Sequence, residues 1–262
     1  MVAWALSIAG SDPSGGAGIQ ADLKAFHARG TWGCAVPTLL TVQNPSGVRD
    51  VHPVAPELVE AQAEAVLEEI LPGAVKTGTL HNAAMVRAVS RVLATRPQVP
   101  YVLDPIILSG TGRRMLDDHG VWAMTELLLP RCTLITPNAQ EASVLTRRPV
   151  RDESEAREAA LALQALGARA VLVKGGHLGD ADAVDVLFDG AKFETFTHPR
   201  LDVARVHGSG CLLSAVITAE LAKGATLAAA VRAAKRLLAR ALERGHRLAS
   251  GVLLPDPHAL AD

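Results

Sequence analysis

The segment from Val2 to Arg29 reads VAWALSIAGSDPSGGAGIQADLKAFHAR. Its first part, Val2 to Ala9, is apolar on both faces, as expected for a strand buried in a parallel sheet. A glycine-rich loop, Gly10 to Gly18, follows, and Ile19 to Arg29 has a helical pattern that stops at Gly30. A strand, a loop and a helix in this order open a βαβ unit. The loop has neither the G-x-G-x-x-G spacing of dinucleotide-binding motifs nor the ending of a Walker A motif, so it does not identify a ligand.

Strands and helices alternate along the rest of the chain. The predicted strands are 33–42, 48–51, 74–78, 100–103, 132–135 and 168–173, and the predicted helices are 56–71, 83–94, 117–128, 153–166 and two long ones from 212 to about 248. Pro37 favours an edge or bulge position in its strand. Strands 184–188 and 192–196, joined at Asp189-Gly190, form the only strong hairpin. The pattern predicts an open, mostly parallel sheet with helices on both faces, in one domain spanning residues 1–262.

Composition limits the classes of function. The chain has 262 residues, a formal net charge of −1, and 49% hydrophobic residues. It therefore lacks the basic surface that nucleic acids or anionic membranes require, and an anionic substrate must be held by local N–H groups and a metal. Cys34, Cys132 and Cys211 are odd in number and far apart, which argues against disulfides and structural zinc. The first ten residues resemble neither a signal peptide nor a membrane span, which predicts a cytoplasmic protein.

A second glycine-rich stretch, VHGSGCLLS from Val206 to Ser214, leads into an apolar helix predicted from Leu212 to Lys223. A glycine turn before a helix gathers free backbone N–H groups at the positive end of the helix dipole. Glycine also lets the backbone close around an anion. The stretch therefore predicts an anion site, with Cys211 held where its thiol is unusually acidic. The alternative is a loop that only turns the chain.

Polar residues stand at or just after the ends of the predicted strands. They are Asp12, Gln43, Thr77, Asp104, Asn138, Glu141 and Lys174. Each one alone is explained equally well as a cap or turn residue, but ligands bind beyond the carboxyl ends of strands in such a sheet. Oxygen ligands for a metal, an anion site and a group that takes a proton from an alcohol are what phosphoryl transfer requires. The set therefore predicts a phosphoryl-transfer site.

Two pairs of residues have specific structural alternatives. Either Asp12 forms an Asx turn and Asp22 occupies a solvated helix position, or both residues touch a polar ligand. Asn138 and Glu141, three residues apart, fit a helix cap with an acid in the first turn. They equally fit two oxygen donors on one helical face that point at a hydrated cation.

The chain resembles the hydroxymethylpyrimidine/phosphomethylpyrimidine kinases of thiamin biosynthesis, within the ribokinase-like superfamily. The matching motifs are AGSDPSGGAGIQADLK from Ala9, QN from Gln43, KTG from Lys76, DP from Asp104, TPN from Thr136 with Glu141, KGGH from Lys174 and HGSGC from His207. They follow the family's order across nearly the whole chain. The resemblance implies a ribokinase-like three-layer α/β/α sandwich with a mostly parallel central sheet.

The resemblance also implies the reaction, which is ATP-dependent phosphorylation of 4-amino-5-hydroxymethyl-2-methylpyrimidine and then of its monophosphate, with Mg²⁺. Cys211 would deprotonate or position the hydroxymethyl group beside an anion hole formed by Gly208, Ser209 and Gly210. The resemblance implies that Mg²⁺ is held by Asn138, Glu141 and Asp104. It implies that the nucleotide contacts Lys174, Thr136 and Asn138 and lies near the hairpin at Asp189. The implied substrate contacts are Gln43, Gly10, Ala17 and Asp22. Members of the family are often dimeric, which predicts a homodimer.

The sequence departs from the family's usual pattern at four places. Ser209 stands where threonine is usual and keeps the hydroxyl, Thr79 stands where methionine is more common, and Pro45 replaces a common threonine. The loop from Leu108 to Gly112 lacks a lysine often found there, which puts in question how the substrate phosphate is held. Two alternative functions remain, a pyridoxine/pyridoxal kinase of the same superfamily and a catalytically silent ligand-binding protein. Gln43 and Cys211 favour the pyrimidine kinase.

Overall fold

A nine-stranded sheet forms the centre of the molecule in the computed structural model, which describes residues 2–175, 182–199, 202–203 and 205–261. Its strands are β1 (Ala3–Ser11), β2 (Thr31–Asn44), β3 (Gly47–Pro53), β4 (Ala74–Thr77), β5 (Tyr101–Leu103), β6 (Leu134–Ile135), β7 (Val171–Val173), β8 (Asp182–Phe188) and β9 (Phe193–Pro199). The spatial order is β3-β2-β1-β4-β5-β6-β7-β8-β9. All pairs from β2 to β7 are parallel, and β3, β8 and β9 join antiparallel at the two edges. The predicted mostly parallel sheet is confirmed.

Helices cover both faces of this sheet. They are α1 (Gly18–Ala28), α2 (Pro56–Glu69), α3 (Ala83–Ala94), α4 (Asp118–Leu127), α5 (Ala139–Thr146), α6 (Glu153–Ala165), α7 (Ser209–Ala222) and α8 (Leu227–Glu243). One apolar core packs α2 to α6 against one face, and a second packs α1, α7 and α8 against the other. This is the expected three-layer α/β/α sandwich. Within the described part of the chain, no helix is both long and apolar enough to span a bilayer.

Local sequence explains where several helices begin. The Asn82 side chain accepts a hydrogen bond from the Met85 N–H and caps α3, as predicted. Helix α7 is apolar nearly all round because it is buried between the sheet, α1 and α8. It ends before Gly224, whose φ of +88° is a conformation that glycine adopts without strain.

Strands β2 and β3 form a second hairpin, so the prediction of a single strong hairpin is wrong. The Asn44 side chain accepts a hydrogen bond from the Ser46 N–H in the connecting turn, and the two strands pair from Leu39–Pro53 to Asn44–Gly47. Pro37 precedes this paired segment and lies where β2 shifts register against β1. Its missing N–H is tolerated there, and the predicted bulge position is confirmed.

A small second sheet lies near the end of the chain and was not predicted. It consists of β10 (Arg205–Val206), β11 (His246–Arg247) and β12 (Val252–Leu254), in the order β10-β12-β11. The last long helix therefore ends at Glu243 rather than near residue 248. Strands this short leave no periodic signal in the sequence. Their effect is to fix the residues just before α7, because the His207 N–H donates to the Leu253 carbonyl.

Candidate active site

The two glycine-rich segments contact each other at the carboxyl end of β1. Gly208 has a φ of +81°, and a Cβ added there would lie 1.7 Å from the Gly16 carbonyl oxygen. Gly18 has a φ of +59°, and its Cβ would lie 2.3 Å from the Gly10 carbonyl oxygen. Only glycine permits this packing. The opening loop and the turn before α7 therefore form the walls of one site.

Asp12 connects the opening loop to the turn before α7 through hydrogen bonds. Its carboxylate accepts hydrogen bonds from the Ser14 and Ala17 N–H groups and lies 2.8 Å from the His207 Nε2. Burial raises the pKa of Asp12, but the hydrogen bonds from His207 and Ser14 outweigh burial and hold it below its ordinary value. The predicted Asx turn is confirmed. Asp12 therefore holds the loop backbone and His207 in position.

The start of α7 faces a lysine. Ser209, Gly210 and Cys211 form its first turn, where backbone N–H groups have no partner within the helix. A Cβ added at Gly210 would lie 3.1 Å from the Lys174 Nζ. A lysine ammonium group and the N-terminus of a helix therefore converge on the same space, as a site for an anionic phosphoryl group requires.

The Cys211 thiol is not acidic in this structure, and that prediction is wrong. Burial raises its pKa to about 11, although the positive charge of Lys76 and the Gly18 N–H lower it. Asp104 and Asp22 add to the increase because their negative charges oppose a thiolate. The helix N-terminus thus does not overcome desolvation and two nearby carboxylates.

Asp104 is completely buried at the end of β5 and collects hydrogen bonds from three elements. Lys174 Nζ donates to its Oδ1 at 3.0 Å, Thr136 Oγ1 to its Oδ1 at 3.2 Å, and Ser214 Oγ to its Oδ2 at 3.0 Å. Burial opposes ionisation, but the positive charges of Lys174 and Lys76 keep the pKa of Asp104 below its ordinary value. Asp104 is therefore an anion that fixes Lys174. Thr136 is fully buried behind it, and its nucleotide role stays a prediction.

Asn138 and Glu141 form a reciprocal cap at the start of α5. The Asn138 Oδ1 accepts from the Glu141 N–H at 2.8 Å, and the Glu141 Oε2 accepts from the Asn138 N–H at 2.8 Å. Burial raises the pKa of Glu141 to about 7, and the negative charge of Asp104 adds to the increase, whereas Lys174 opposes it. The helix-cap interpretation is confirmed, and the metal role of both residues stays a prediction.

The residues around Asp104 fit Mg²⁺. Asp104 and Glu141 are two buried carboxylates that repel each other, and a divalent cation would relieve this repulsion. Among the described residues no cluster of three or more His, Cys, Asp or Glu side chains could hold a metal. Mg²⁺ is commonly held by one or two carboxylates, water and substrate phosphates, so this smaller donor set is sufficient.

Asp22 lies on α1 and is fully buried, which excludes the alternative of a solvated helix position. Its Oδ2 accepts from the Lys76 Nζ at 2.9 Å and from the Ser7 Oγ at 2.6 Å. Its Oδ1 is buried and has no hydrogen-bond partner among the described residues. An unpaired buried carboxylate oxygen costs free energy, which a donor on a bound substrate would recover.

The remaining predicted residues are placed as follows. Gly10 is buried against Leu39, Ala17 is half-buried in the loop held by Asp12, and Gln43 is half-buried on β2. Thr77 does not face the site, because its hydroxyl hydrogen-bonds the buried Tyr101 hydroxyl at 2.7 Å. Gly176 and His177 of the KGGH motif lie outside the described residues. The ligand roles of Gly10, Ala17, Gln43 and the hairpin near Asp189 stay predictions.

Several residues of this region carried no prediction. Ser7, Lys76, Ser214 and His207 hold Asp22, Asp104 or Asp12 in place. Lys76 and His207 lie within the motifs, but nothing in the sequence indicated their partners. The partners lie on α1 and directly after β1 and β5, which the fold brings together.

Comparisons with known proteins match nearly the whole chain. The family model described as phosphomethylpyrimidine kinase matches residues 12–255. The hydroxymethylpyrimidine/phosphomethylpyrimidine kinase of Bacillus subtilis is 40% identical over 94% of this chain and 92% of its own length. The thiamine biosynthesis bifunctional protein ThiED of Geobacter sulfurreducens is 42% identical over 96% of this chain, which spans 52% of that longer relative.

A solved structure is similar over the whole fold. The ADP complex of Bacillus subtilis pyridoxal kinase superposes with a TM-score of 0.91 and 34% identity, covering 99% of both chains. The three-layer fold is therefore that of the ribokinase-like kinases, as the motifs implied. The family model covers most of the sequence, including the opening loop, the Asp104–Lys174 pair and the start of α7. The chain belongs to the phosphomethylpyrimidine kinase family.

Proposed function

We propose that this protein transfers the γ-phosphoryl group of ATP to the hydroxymethyl group of 4-amino-5-hydroxymethyl-2-methylpyrimidine, and then to the resulting monophosphate. One observation carries the proposal: the first turn of α7, which includes Cys211, faces the Lys174 ammonium group in a chain of this family. The helix N-terminus and Lys174 would hold the transferring phosphoryl group, and the buried, unpaired Asp22 Oδ1 would accept a hydrogen bond from an aminopyrimidine. The product diphosphate would supply thiamin assembly.

Each residue has a role in this reaction that its surroundings support. Asp104 holds Lys174 at 3.0 Å, so the ammonium group is fixed where the transferring phosphoryl group would lie. The free N–H groups of Ser209 and Gly210 would stabilise the charge on its oxygens. The substrate oxygen attacks the γ-phosphorus, the bond to the leaving ADP oxygen breaks, and the hydroxyl proton passes to an oxygen of the transferred phosphoryl group.

Cys211 positions the attacking hydroxyl and does not take its proton, because burial keeps the thiol protonated at neutral pH in this structure. Phosphoryl transfer passes through a loose transition state that needs little help from a base, so positioning of the hydroxyl suffices. We assign Mg²⁺ to Asp104, Glu141 and Asn138, where bound metal would neutralise charge on the ATP phosphates.

Gln43, Gly10, Ala17 and Asp22 are proposed to contact the pyrimidine. The unpartnered Asp22 Oδ1 supports this assignment, since the exocyclic amino group is a donor it lacks. We also propose that the protein works in the cytoplasm as a homodimer, without nucleic-acid or membrane partners. The exposed Leu40 and Val42 on β2, which are 52% and 49% exposed, support self-association.

Pyridoxal phosphorylation is the second candidate. The solved structure with a TM-score of 0.91 belongs to a pyridoxal kinase of Bacillus subtilis. Pyridoxal also carries a ring hydroxymethyl group, so the same arrangement of Lys174, Cys211 and α7 would serve both acceptors. The pyrimidine is favoured because the family model and the curated Bacillus subtilis relative are named for it.

One assay tests both candidates. Purified protein is incubated with ATP and Mg²⁺ and, in parallel, with the hydroxymethylpyrimidine, its monophosphate or pyridoxal, and the products are identified by mass. We expect pyrimidine diphosphate from both pyrimidines. Pyridoxal phosphate as the main product would replace the proposal by the second candidate. Absence of transfer to all three would leave a ligand-binding protein.

A further inference from the structure

A cavity of about 150 Å³ opens at the amino ends of the parallel strands. Its mouth is formed by residues that precede β5, β6 and β7, whereas Asp104 and Lys174 of the candidate active site follow the carboxyl ends of β5 and β7. The cavity is therefore separate from the candidate active site. The side chains of its floor come from the sheet, α2 and α3, and they are Leu6, Val75, Tyr101, Leu67, Val92 and Leu93.

The floor has the properties of a dry apolar pocket. Tyr101 is its only polar side chain, and the tyrosine hydroxyl is already hydrogen-bonded to the Thr77 Oγ1 at 2.7 Å. The other five floor residues are aliphatic, so no side chain of the floor is left to hold a water molecule. Dry apolar cavities of this volume in other proteins bind a benzene ring.

Three arginine side chains line the mouth of the cavity. They are Arg96 after α3, Arg131 before β6 and Arg169 before β7. Arg96 donates to the Leu67 and Thr95 carbonyls, which fixes its position without neutralising its charge. Within the described ranges of the chain, no salt bridge joins any of the three to a carboxylate. A cleft lined by charges of one sign concentrates ions of the opposite sign, so this mouth favours an anion.

We propose that this cavity binds a small amphipathic anion, which has a single ring or a branched alkyl group of similar size and carries a phosphate or carboxylate group. The apolar part fills the floor, and the anionic group accepts hydrogen bonds from the arginines, whose guanidinium groups match both kinds of oxyanion. The proposal does not depend on the proposed kinase function, because none of the floor or mouth residues belongs to the candidate active site.

Tyr101 provides a specific signal for binding. It is the only tyrosine in the chain, so protein labelled with ¹⁵N-tyrosine gives one amide resonance, which reports on the cavity floor. The probe is phenyl phosphate, and its dissociation constant is obtained from the shift of this resonance during a titration. We expect saturable binding that is about tenfold or more tighter than that of inorganic phosphate, which lacks the ring, or benzyl alcohol, which lacks the charge. Benzoate is titrated in parallel, and the tighter of the two aromatic anions identifies the preferred anionic group.

Variants at the mouth test the arginines. Arg131 and Arg169 are exposed, so Arg131→Met/Arg169→Met removes two charges without disturbing the core. We expect phenyl phosphate to bind about tenfold or more weakly to this variant, because hydrogen bonds to charged groups are lost. Arg236→Met/Arg244→Met is the matched control, since these two exposed arginines lie on and directly after α8, which packs against the other face of the sheet. It should bind the probe like the wild type.

A variant of the floor tests the apolar part of the site. Leu93→Phe places a ring in the cavity from α3, and we expect it to abolish the binding of phenyl phosphate. If Leu93→Phe does not fold, the arginine variants carry the test. The proposal is overturned by a Tyr101 resonance that shifts with neither aromatic anion, or by equal binding of phenyl phosphate and inorganic phosphate. An unchanged dissociation constant in Arg131→Met/Arg169→Met would also overturn it, because the probe would then bind elsewhere and reach Tyr101 indirectly.

Discussion

At the scale of single residues, the site contains two lysine–carboxylate pairs, of which Lys76–Asp22 is fully buried and Lys174–Asp104 has a partly exposed lysine. Lys76 pairs with Asp22 at 2.9 Å and Lys174 with Asp104 at 3.0 Å. Buried charges are costly without a partner, so each lysine fixes the position of its carboxylate. The arrangement keeps the Cys211 thiol neutral and leaves the Asp22 Oδ1 available for a ligand.

Replacement of Cys211 by alanine tests the role of the thiol. We expect turnover to fall by about 10²-fold, the usual cost of misplacing the reacting groups. Binding of ATP, measured by calorimetry, should stay close to wild type because the phosphate-binding groups are Lys174 and the α7 backbone. The matched control is Cys34→Ala on β2, which should keep its turnover. Turnover near wild type in Cys211→Ala would refute the assignment.

Glu141 gives the fold a specific pH dependence. Burial raises its folded pKa from 4.5 to about 7, so its neutral form stabilises the fold fully below pH 4.5 and this contribution is lost as the pH rises to about 7. The Glu141→Gln side chain does not ionise, so the free energy of unfolding of this variant does not fall over that pH range. Urea unfolding at pH 5 and pH 8 should show the variant gaining roughly 2–3 kcal/mol relative to wild type between the two pH values. Parallel pH dependence of the two proteins would contradict the raised pKa.

The sequence could not predict which polar residues of the site are buried. Asp22 follows a helical pattern that suits an exposed position, yet it is fully buried because α1 packs against β1 and α7. Its partners Lys76 and Ser7 are 54 and 15 residues away in the chain. Short-range patterns do not contain such pairings. The acidity expected for Cys211 failed for the same reason, since desolvation depends on the packed fold.

At the scale of secondary-structure elements, the turn before α7 depends on glycine at one position in particular. Gly208 has a φ of +81° and a Cβ there would lie 1.7 Å from the Gly16 carbonyl oxygen. Such a contact requires the opening loop to move, in addition to the cost of the left-handed backbone. Gly224, at the other end of α7, has a φ of +88° and nothing within 4 Å of its Cβ position.

The two glycines therefore form a matched pair for substitution by alanine. Gly224→Ala should lose about 1–2 kcal/mol of unfolding free energy from backbone strain alone. Gly208→Ala should lose about 1–3 kcal/mol more, because overpacking adds to the same strain. Urea unfolding measures both, and turnover should fall only in Gly208→Ala. Equal destabilisation of the two variants would show that the two glycine segments do not contact each other as described.

Elements whose signal is local were predicted well. The first strand and helix, the Asn82 cap, the Asn138–Glu141 cap and the hairpin at Asp189-Gly190 all appear in the structure. Residue pairs that are close in the chain specify these features. The small sheet of β10, β11 and β12 was missed because its short strands pair across distant parts of the chain. The hairpin of β2 and β3 was missed although its strands are neighbours in the chain.

At the scale of the whole molecule, the residues that the structure describes leave Leu40 and Val42 on β2 exposed. Thr41 and Gln43 alternate with Leu40 and Val42 along the strand, and the Thr41 hydroxyl donates to the Ser11 carbonyl. Leu40 and Val42 therefore point to the opposite face, away from the opening loop. Adjacent exposed apolar side chains on a sheet face are typical of an interface.

This face predicts how the proposed homodimer can be separated. Each chain has a mass of 27.4 kDa, and light scattering after gel filtration should give twice that value for the wild type. Leu40→Lys/Val42→Lys places two charges on the proposed interface and should give the mass of one chain, because burying unpaired charges opposes association. Trp122 is 62% exposed on α4, on another part of the surface, and Trp122→Lys is the control that should remain dimeric. A wild-type protein with the mass of one chain would refute the dimer, and a double variant that stays dimeric would place its interface on a different face.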